Sequence, residues 1–584
     1  MRKIVNINLF FAKILNKYCS GFTEKLVVIM LWQLTIVYTL FSQTKFTDIT
    51  QQASIMHQFE VKDGFLGGGI CVLDVNNDDY QDLYLTGGKQ PDRLYLNLKD
   101  GTFKDILVQS GIAATTQNFV TQGVASADVN RDGWRDLFIT TNTTMDTNQV
   151  IPRAINLFFL NNGDNTFRDA TQEYGLGQMN SFSTGVNFGD FNVDGFPDVY
   201  IGNYFHDYTG PLDEINDQTM VNANNTAKGY LLLNQQGKKF KNVYEEYGMN
   251  HKGFGFGGLF TDFDNDGDLD LHVLHDFGYK AKPDRLLENQ YPKKKFKYVE
   301  KELDMDLRIN AMASAVGDYD NNGWLDYFVT NIRFNYFMVN QGSGKPFINK
   351  SKELGTRIFK IGWGANFADF DQDGDLDLFV ANGDLNPYCT PMDNFYYENK
   401  DYRFEQIAYQ VGLNEYGIGR GSVVFDIEND GDLDLLVVNQ KPVLAYPVPS
   451  KTVLYRNDSG SKGNWLKVKL EGTNATLNGI GTRVKVVCAN QKMMREIDGG
   501  GSSHLSQNST IAHFGLGNAT VIDSIIITWV GGKKQVILQQ VPNQLITIEE
   551  TPDKFSYGLW YILGAFLFLI LIGYYLTTML RTYS

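Results

Sequence analysis

Residues Asp262–Asp270 read DFDNDGDLD, and the same nine-residue pattern, D-x-[D/N]-x-[D/N]-G-x-x-D, recurs along the chain. The other copies are DVNNDDYQD from Asp74, DVNRDGWRD from Asp128, DFNVDGFPD from Asp190, DYDNNGWLD from Asp318, DFDQDGDLD from Asp369 and DIENDGDLD from Asp426. Successive copies start 51 to 72 residues apart. One supersecondary unit per period of this length predicts a propeller or a solenoid.

Three further elements repeat in phase with the acidic loops. A Gly-rich apolar stretch precedes most of them, as in FLGGGICVL, STGVNFG and FGFGGLF, and a β-type run such as DLYLT or DLFVA follows. A third run ends at Asn97, Asn161, Asn234, Asn289, Asn340, Asn399 and Asn457, and a fourth starts at Phe103, Phe167, Phe240, Phe296, Phe347 and Phe404. Four short β-type runs per period make one propeller blade. The seventh unit lacks a Phe run after Asn457, while a spare one, TKFTDIT at 44–50, stands at the N-terminal side. The sequence therefore predicts an all-β, seven-bladed propeller in which Phe46 and its neighbours complete the last blade, removing an exposed sheet edge.

Carboxylates this close repel unless a cation neutralises them. The predicted ligand sets are Asp74, Asn76, Asp78 and Asp82; Asp128, Asn130, Asp132 and Asp136; Asp190, Asn192, Asp194 and Asp198; Asp262, Asp264, Asp266 and Asp270; Asp318, Asp320, Asn322 and Asp326; Asp369, Asp371, Asp373 and Asp377; and Asp426, Glu428, Asp430 and Asp434. All are hard oxygen donors, which suits Ca²⁺ with its 6–8 oxygens at about 2.3–2.6 Å, and up to seven ions are expected. No His or Cys enters the pattern, which argues against zinc or copper. Position 12 is apolar, Gly or Thr, so these are not EF-hands, and Asp at position 9 must close the coordination. Loops 4 and 6, with Asp at positions 1, 3, 5 and 9, read as the strongest. Loop 1 has Asp79 in place of Gly, loop 5 has Asn322 at position 5, and loop 7 has Glu428 at position 3.

Both ends of the chain differ from the repeats. Five basic residues and one acid in 1–25, then an apolar stretch to Phe41, predict an export signal ending near Gln43 or an uncleaved N-terminal anchor. Residues 557–580, YGLWYILGAFLFLILIGYYLTTML, carry no charge and are long enough for one membrane helix. A short tail, 581–584, follows on the cytoplasmic side. The expected location is extracytoplasmic, anchored to the membrane by this helix. A net charge of −15 makes nucleic acid an unsuitable partner.

The FLGGGICVLDVNNDD and FGFGGLFTDFDNDGDLD runs resemble the FG-GAP/VCBS repeats of integrin-α-type propellers, over residues 44–457. Residues 463–550, with WLKVKLEG, NGIGTRVKVV, MMREIDGGGSSHLSQNS and AHFGLGNATVIDSIIITWVGG, resemble the ASPIC/UnbV domain and read as a small antiparallel β-domain. A propeller followed by that domain is the architecture of the cartilage-acidic-protein-like family, and the resemblance implies calcium binding with adhesion or scaffolding at surfaces.

Motifs of nucleophilic, phosphate-binding or zinc-protease chemistry are absent from the sequence. His272 and His275 lie three apart in a strand, which puts them on opposite faces and makes a shared metal unfavourable. His504 and His513 read as packing or turn residues, and Cys71, Cys389 and Cys488 as free thiols. Three function classes stay open: a calcium-stabilised binding or adhesion module for protein or glycan, an enzyme acting on polysaccharide, and a structural envelope component. A polar funnel lined by uncommitted acids and bases at the propeller axis would favour the enzyme. Insertions at 202–230 and 142–156 are candidate specificity loops.

Overall fold

The computed structural model describes residues 44–61, 67–145, 154–205, 226–385, 390–442, 446, 448–459, 463–489, 491–552 and 572. The expected export segment lies outside them, as do almost all of the expected membrane helix, Cys389 and the middles of both insertions. Among the described residues no helix is long and apolar enough to cross a membrane.

Each acidic loop joins the first two strands of a four-stranded antiparallel sheet. The Asp at position 9 is the first residue of the second strand in all seven repeats, from Asp82–Leu85 to Asp434–Asn439. The fourth repeat shows the plan: Phe254–Thr261, Asp270–Asp276, Arg285–Asn289 and Phe296–Tyr298 pair in sequence order. The sixth sheet takes a fifth strand, Ile332–Phe334, from the repeat before it. In the seventh, the outer place is filled by Phe46–Asp48, with Phe46 opposite Asn457, as the spare Phe run predicts.

The first strand of each repeat is Gly-rich because neighbouring first strands approach closely. A Cβ on Gly123 would stand 2.6 Å from the Thr184 carbonyl oxygen of the next repeat. Aromatic and branched residues fill the wedge between successive sheets. Phe138, Phe158, Phe188 and Phe240, for example, share one buried cluster across the second and third repeats. Such burial contributes roughly 1.5–3 kcal/mol per large side chain.

The C-terminal part forms two further sheets. One pairs Asn464–Glu471 with Ala512–Gly517 and Gln544–Glu549; the other orders Gln491–Glu496, Arg483–Cys488, Ile522–Thr528 and Lys534–Gln540. The expectation of a wholly antiparallel domain is corrected here, because Leu466–Glu471 and Gln544–Glu549 run parallel. The chain alternates twice between the two sheets, and after Lys534–Gln540 it re-enters the first running in the same direction as Asn464–Glu471. No local periodicity distinguishes that return from a hairpin.

This domain does not stand apart from the repeats. Its apolar core, including Leu466, Val468, Phe514 and Trp529, is continuous with Ala125, Phe138 and Phe188. Its segment 498–508 enters the space between the first strands of the seven sheets. Gln507 exchanges backbone bonds with Ile70 and Val72 at 2.8 and 3.1 Å, and Val124 N–H donates to Leu505 O at 3.2 Å. Phe188 N–H donates to Gly499 O at 2.8 Å, and Val424 N–H to Asn508 Oδ1 at 3.0 Å. His504 lies 4.8 Å from the Trp363 ring and 5.8 Å from Phe256, with Nδ1 at 3.2 Å from Met312 O. Residues of this one segment thus touch all seven repeats, and Ser503, His504, Ser506 and Gln507 are fully buried.

Candidate metal centres

The seven loops share one hydrogen-bond plan. The carboxylate at position 1 accepts the amides of positions 5 and 6, at 2.9–3.1 and 2.7–3.1 Å. The side-chain oxygen at position 5 accepts the amide of position 7 at 2.8–3.0 Å. Asn322 Oδ1 does this as well as an Asp oxygen does, so the departure at loop 5 leaves the turn unchanged. Position 6 has positive φ throughout. In loop 1 that residue is Asp79 at 65°, one of the few residue types that tolerates this region without being Gly. Position 4 is also left-handed in every loop, including the β-branched Val193 at 56°.

The Asp at position 9 has a role beyond the one read from the sequence. Its Oδ1 accepts the backbone amide of the strand-ending Asn of its own repeat, at 2.7–3.0 Å. The Asn side chain then donates to the carbonyl of loop position 2 in the preceding repeat. Asn161 reaches Val75, Asn234 Val129, Asn289 Phe191, Asn340 Phe263, Asn399 Tyr319 and Asn457 Phe370, and Asn97 of the first repeat reaches Ile427 of the seventh. These bonds, at 2.8–3.1 Å, form a cycle through all seven repeats. The recurrence of Asn was visible in the sequence; its bond across repeats was not.

Loops differ at position 3. In loops 1–3 the Asn there donates from Nδ2 to the position-5 carboxylate at 2.8–3.1 Å. Loops 4–6 carry Asp at that place, and three carboxylates converge within 4.8 Å in each: Asp262, Asp264 and Asp270; Asp318, Asp320 and Asp326; Asp369, Asp371 and Asp373. Burial pushes Asp82 up to about 8, and Asp136, Asp198, Asp270, Asp326, Asp377 and Asp434 well above the carboxylate range. Burial also pushes Asp190 up to about 7 and Asp128, Asp262, Asp264 and Asp318 up to about 6. The side-chain Oδ1 atoms of Asn76, Asn192 and Asp320 are buried without a hydrogen-bond partner. Oxygens that are concentrated, desolvated and partly unpartnered fit a hard divalent cation.

The C-terminal domain docks on these loops. Lys467 Nζ lies 2.7 Å from Asp426 Oδ2 and 2.6 Å from Asn429 Oδ1, and both members of the ion pair are buried. Arg483 pairs with Asp262 Oδ2 at 3.4 Å and bonds Asn265 Oδ1. Arg131, at position 4 of loop 2, donates to the Thr473 and Ala475 carbonyls at 2.7 and 3.2 Å. His513 Nε2 lies 2.8 Å from Gly431 O. His272 and His275 are buried, the former against Tyr327 and the latter on the Pro283 carbonyl at 2.8 Å. Cys71 and Cys488 are free and buried.

FG-GAP-like repeats match residues 74–139, 128–201, 318–380 and 369–437, and ASPIC and UnbV matches 472–554. The Asp262 loop lies between the matched stretches and has the same bonds as the rest. Cartilage acidic protein 1 of Xenopus tropicalis is 25% identical over 515 residues, 84% of this chain and 74% of that protein. The Homo sapiens protein of that name is 32% identical over 174 residues, 28% of this chain and 24% of its own length. Among solved structures, an Agrocybe aegerita lectin that recognises non-reducing terminal N-acetylglucosamine is 15% identical with a TM-score of 0.34, over 68% of this chain and 96% of that one, too low a likeness to carry an argument. The chain thus carries FG-GAP-like repeats followed by a C-terminal ASPIC/UnbV domain, and is homologous to cartilage acidic protein 1 over most of its length.

Proposed function

We propose that the seven sheets are the blades of a closed, calcium-loaded β-propeller that serves as an extracytoplasmic binding or adhesion module for protein or glycan. The observation that carries the reading is the sevenfold recurrence of one partly buried oxygen cage, with converging carboxylates in loops 4–6 and orphaned oxygens at Asn76, Asn192 and Asp320. Ca²⁺ would be held by the side chains at positions 1, 3, 5 and 9. It would supply the positive charge that lets those carboxylates stay ionised while buried, and it would fix the turn that starts each second strand. The cycle of Asn bonds and the seat of Phe46 beside Asn457 support ring closure. Segment 498–508 occupies the place where a propeller enzyme would need its funnel, which favours binding over catalysis. The apolar stretch 557–580 would tether the module to a membrane, with its described part outside the cytoplasm.

The test is a protein and glycan binding screen of the chain with Ca²⁺ and with excess chelator, alongside metal counting by mass spectrometry. Several bound calcium ions per chain and calcium-dependent ligand capture are expected. A chain that takes up no calcium, and whose melting curve a chelator leaves in place, refutes the reading.

A further inference from the structure

The ends of the strands remote from the acidic loops carry a pocket that the calcium reading does not use. It lies on the fourth repeat, between the approach to Phe254–Thr261, the start of Arg285–Asn289 and the end of Phe296–Tyr298, and its volume is about 560 Å³. Four cations line it, Lys252, Lys282, Arg285 and Lys301, against one acid, Glu300. Glu300 is committed to Arg285, Oε1 to Nη1 at 2.7 Å, with both side chains largely buried. Lys252, Lys282 and Lys301 are exposed and have no ion-pair or hydrogen-bond partner among the described residues. In a chain of net charge −15, three cations without a partner among the described residues, around one concavity, concentrate positive potential there.

The lining also includes a buried imidazole and the partly exposed ring of Tyr298. His251 is more than nine-tenths buried. Its Nδ1 lies 3.0 Å from the Tyr298 hydroxyl, while its Nε2 has no partner. A second depression of about 750 Å³ shares Lys252 and continues the surface over the partly exposed Tyr230.

We propose that this pocket binds an acidic glycan, a sugar chain bearing carboxylate or sulfate groups. The volume exceeds what one inorganic oxyanion fills, and the partly exposed rings of Tyr298 and Tyr230 beside spread cations suit sugar rings with charged substituents. A peptide would add along the outer edge of Phe296–Tyr298, whereas the cations gather at the ends of the strands. The inference rests on the reading of the protein as a binding module, and adds the ligand class and its place.

The full chain is titrated, with calcium present, against oligogalacturonate, sulfated dextran, neutral dextran, polyglutamate and inorganic sulfate. Binding to the two acidic glycans is expected, weakening with salt, with none to neutral dextran. Replacing Lys252, Lys282 and Lys301 together by Ala should weaken it at least about tenfold, as loss of even one charge-assisted contact would. The triple Arg variant should keep it. Alanines at Lys293, Lys294 and Lys295, at the acidic-loop end of the same sheet, should leave it unchanged. Undiminished binding by the triple Ala variant overturns the proposal, as does a wild type that prefers polyglutamate, binds inorganic sulfate only, or ignores both acidic glycans. A chain that melts calcium-dependently yet ignores them refutes the pocket and leaves the calcium module standing.

Discussion

Loops 1–3 and loops 4–6 are built on one backbone and differ chiefly in the residue at position 3. Where it is Asn, Nδ2 donates to the position-5 carboxylate and part of the negative charge is answered from within the loop. Where it is Asp, that donor is gone and three carboxylates converge. The turn is the same in both sets, with position 1 holding the amides of positions 5 and 6. Fold and charge are therefore separable here. The amide bonds shape the loop, and position 3 sets how much negative charge that shape gathers. Loop 7 is a third case, since Lys467 of the C-terminal domain already rests on Asp426 Oδ2.

The largest expected effect comes from removing the metal altogether. At a hundredfold excess over Kd each site contributes about 2.7 kcal/mol, so excess chelator should lower the melting temperature by more than about 10 °C in scanning calorimetry. Second, the triple variant Asp264→Asn, Asp320→Asn and Asp371→Asn should make loops 4–6 behave like loops 1–3. Each is expected to bind calcium about tenfold more weakly by isothermal titration, because affinity follows ligand charge. If titration of the triple variant superimposes on the wild type, position 3 does not set the difference. Third, acid should act on the metal-free state and hardly on the calcium-loaded one. Asp82 at about 8 and Asp190 at about 7 bind more protons folded than unfolded, so in chelator stability is lost as pH rises through these values. Acidifying from pH 8 to 6.5 should then raise the melting temperature in chelator and leave it nearly flat in calcium. The buried His57 and His275, held down to about 4, have the contrary sign, and their contribution is lost only below about 6.5. Fourth, Asn340→Ala should cost about 1–2 kcal/mol in both metal states, since it removes the bond to Phe263 O and the one that Oδ1 accepts from Gly342 N–H, and no ligand. A cost that vanishes in chelator would tie those bonds to the metal rather than to the framework.

What the sequence disclosed follows the same division. The acidic loops, the strand-ending Asn and the Phe-led strands were legible because each repeats at a fixed place in the period, and local spacing is what a sequence displays. The partner of Phe46 was legible for the same reason, as a missing element in one unit and a spare in another. The Asn97 to Ile427 bond was not, because a side chain reaching another repeat leaves no spacing signal. Residues 498–508 looked like a loop of a separate domain. Gly, Ser and Gln suggest exposure when read locally, and only the surrounding first strands make Ser503 and Gln507 interior. The parallel pairing of Gln544–Glu549 was hidden too, since alternation along a strand does not give its direction. Lys467 and Arg483 gave no signal in the sequence, because the acids they meet, Asp426 and Asp262, lie far away along the chain.

Segment 498–508 has a consequence for the order in which the chain can assemble. The seventh sheet needs Phe46–Asp48 from one end of the repeats and Val453–Asn457 from the other, with a bond spanning 404 residues from Leu454 to Thr50. Ile70 donates to Ser506 across 436 residues. Contacts of such separation are slow to form, because loop-closure entropy precedes any stabilisation they give. The early repeats can pair within themselves as they emerge from the ribosome, yet their innermost strands stay unburied until the last hundred residues arrive. The protein's C-terminal domain therefore acts as the final step of its own folding, and a truncation before residue 498 should leave a chain of well-formed hairpins with a solvent-filled centre.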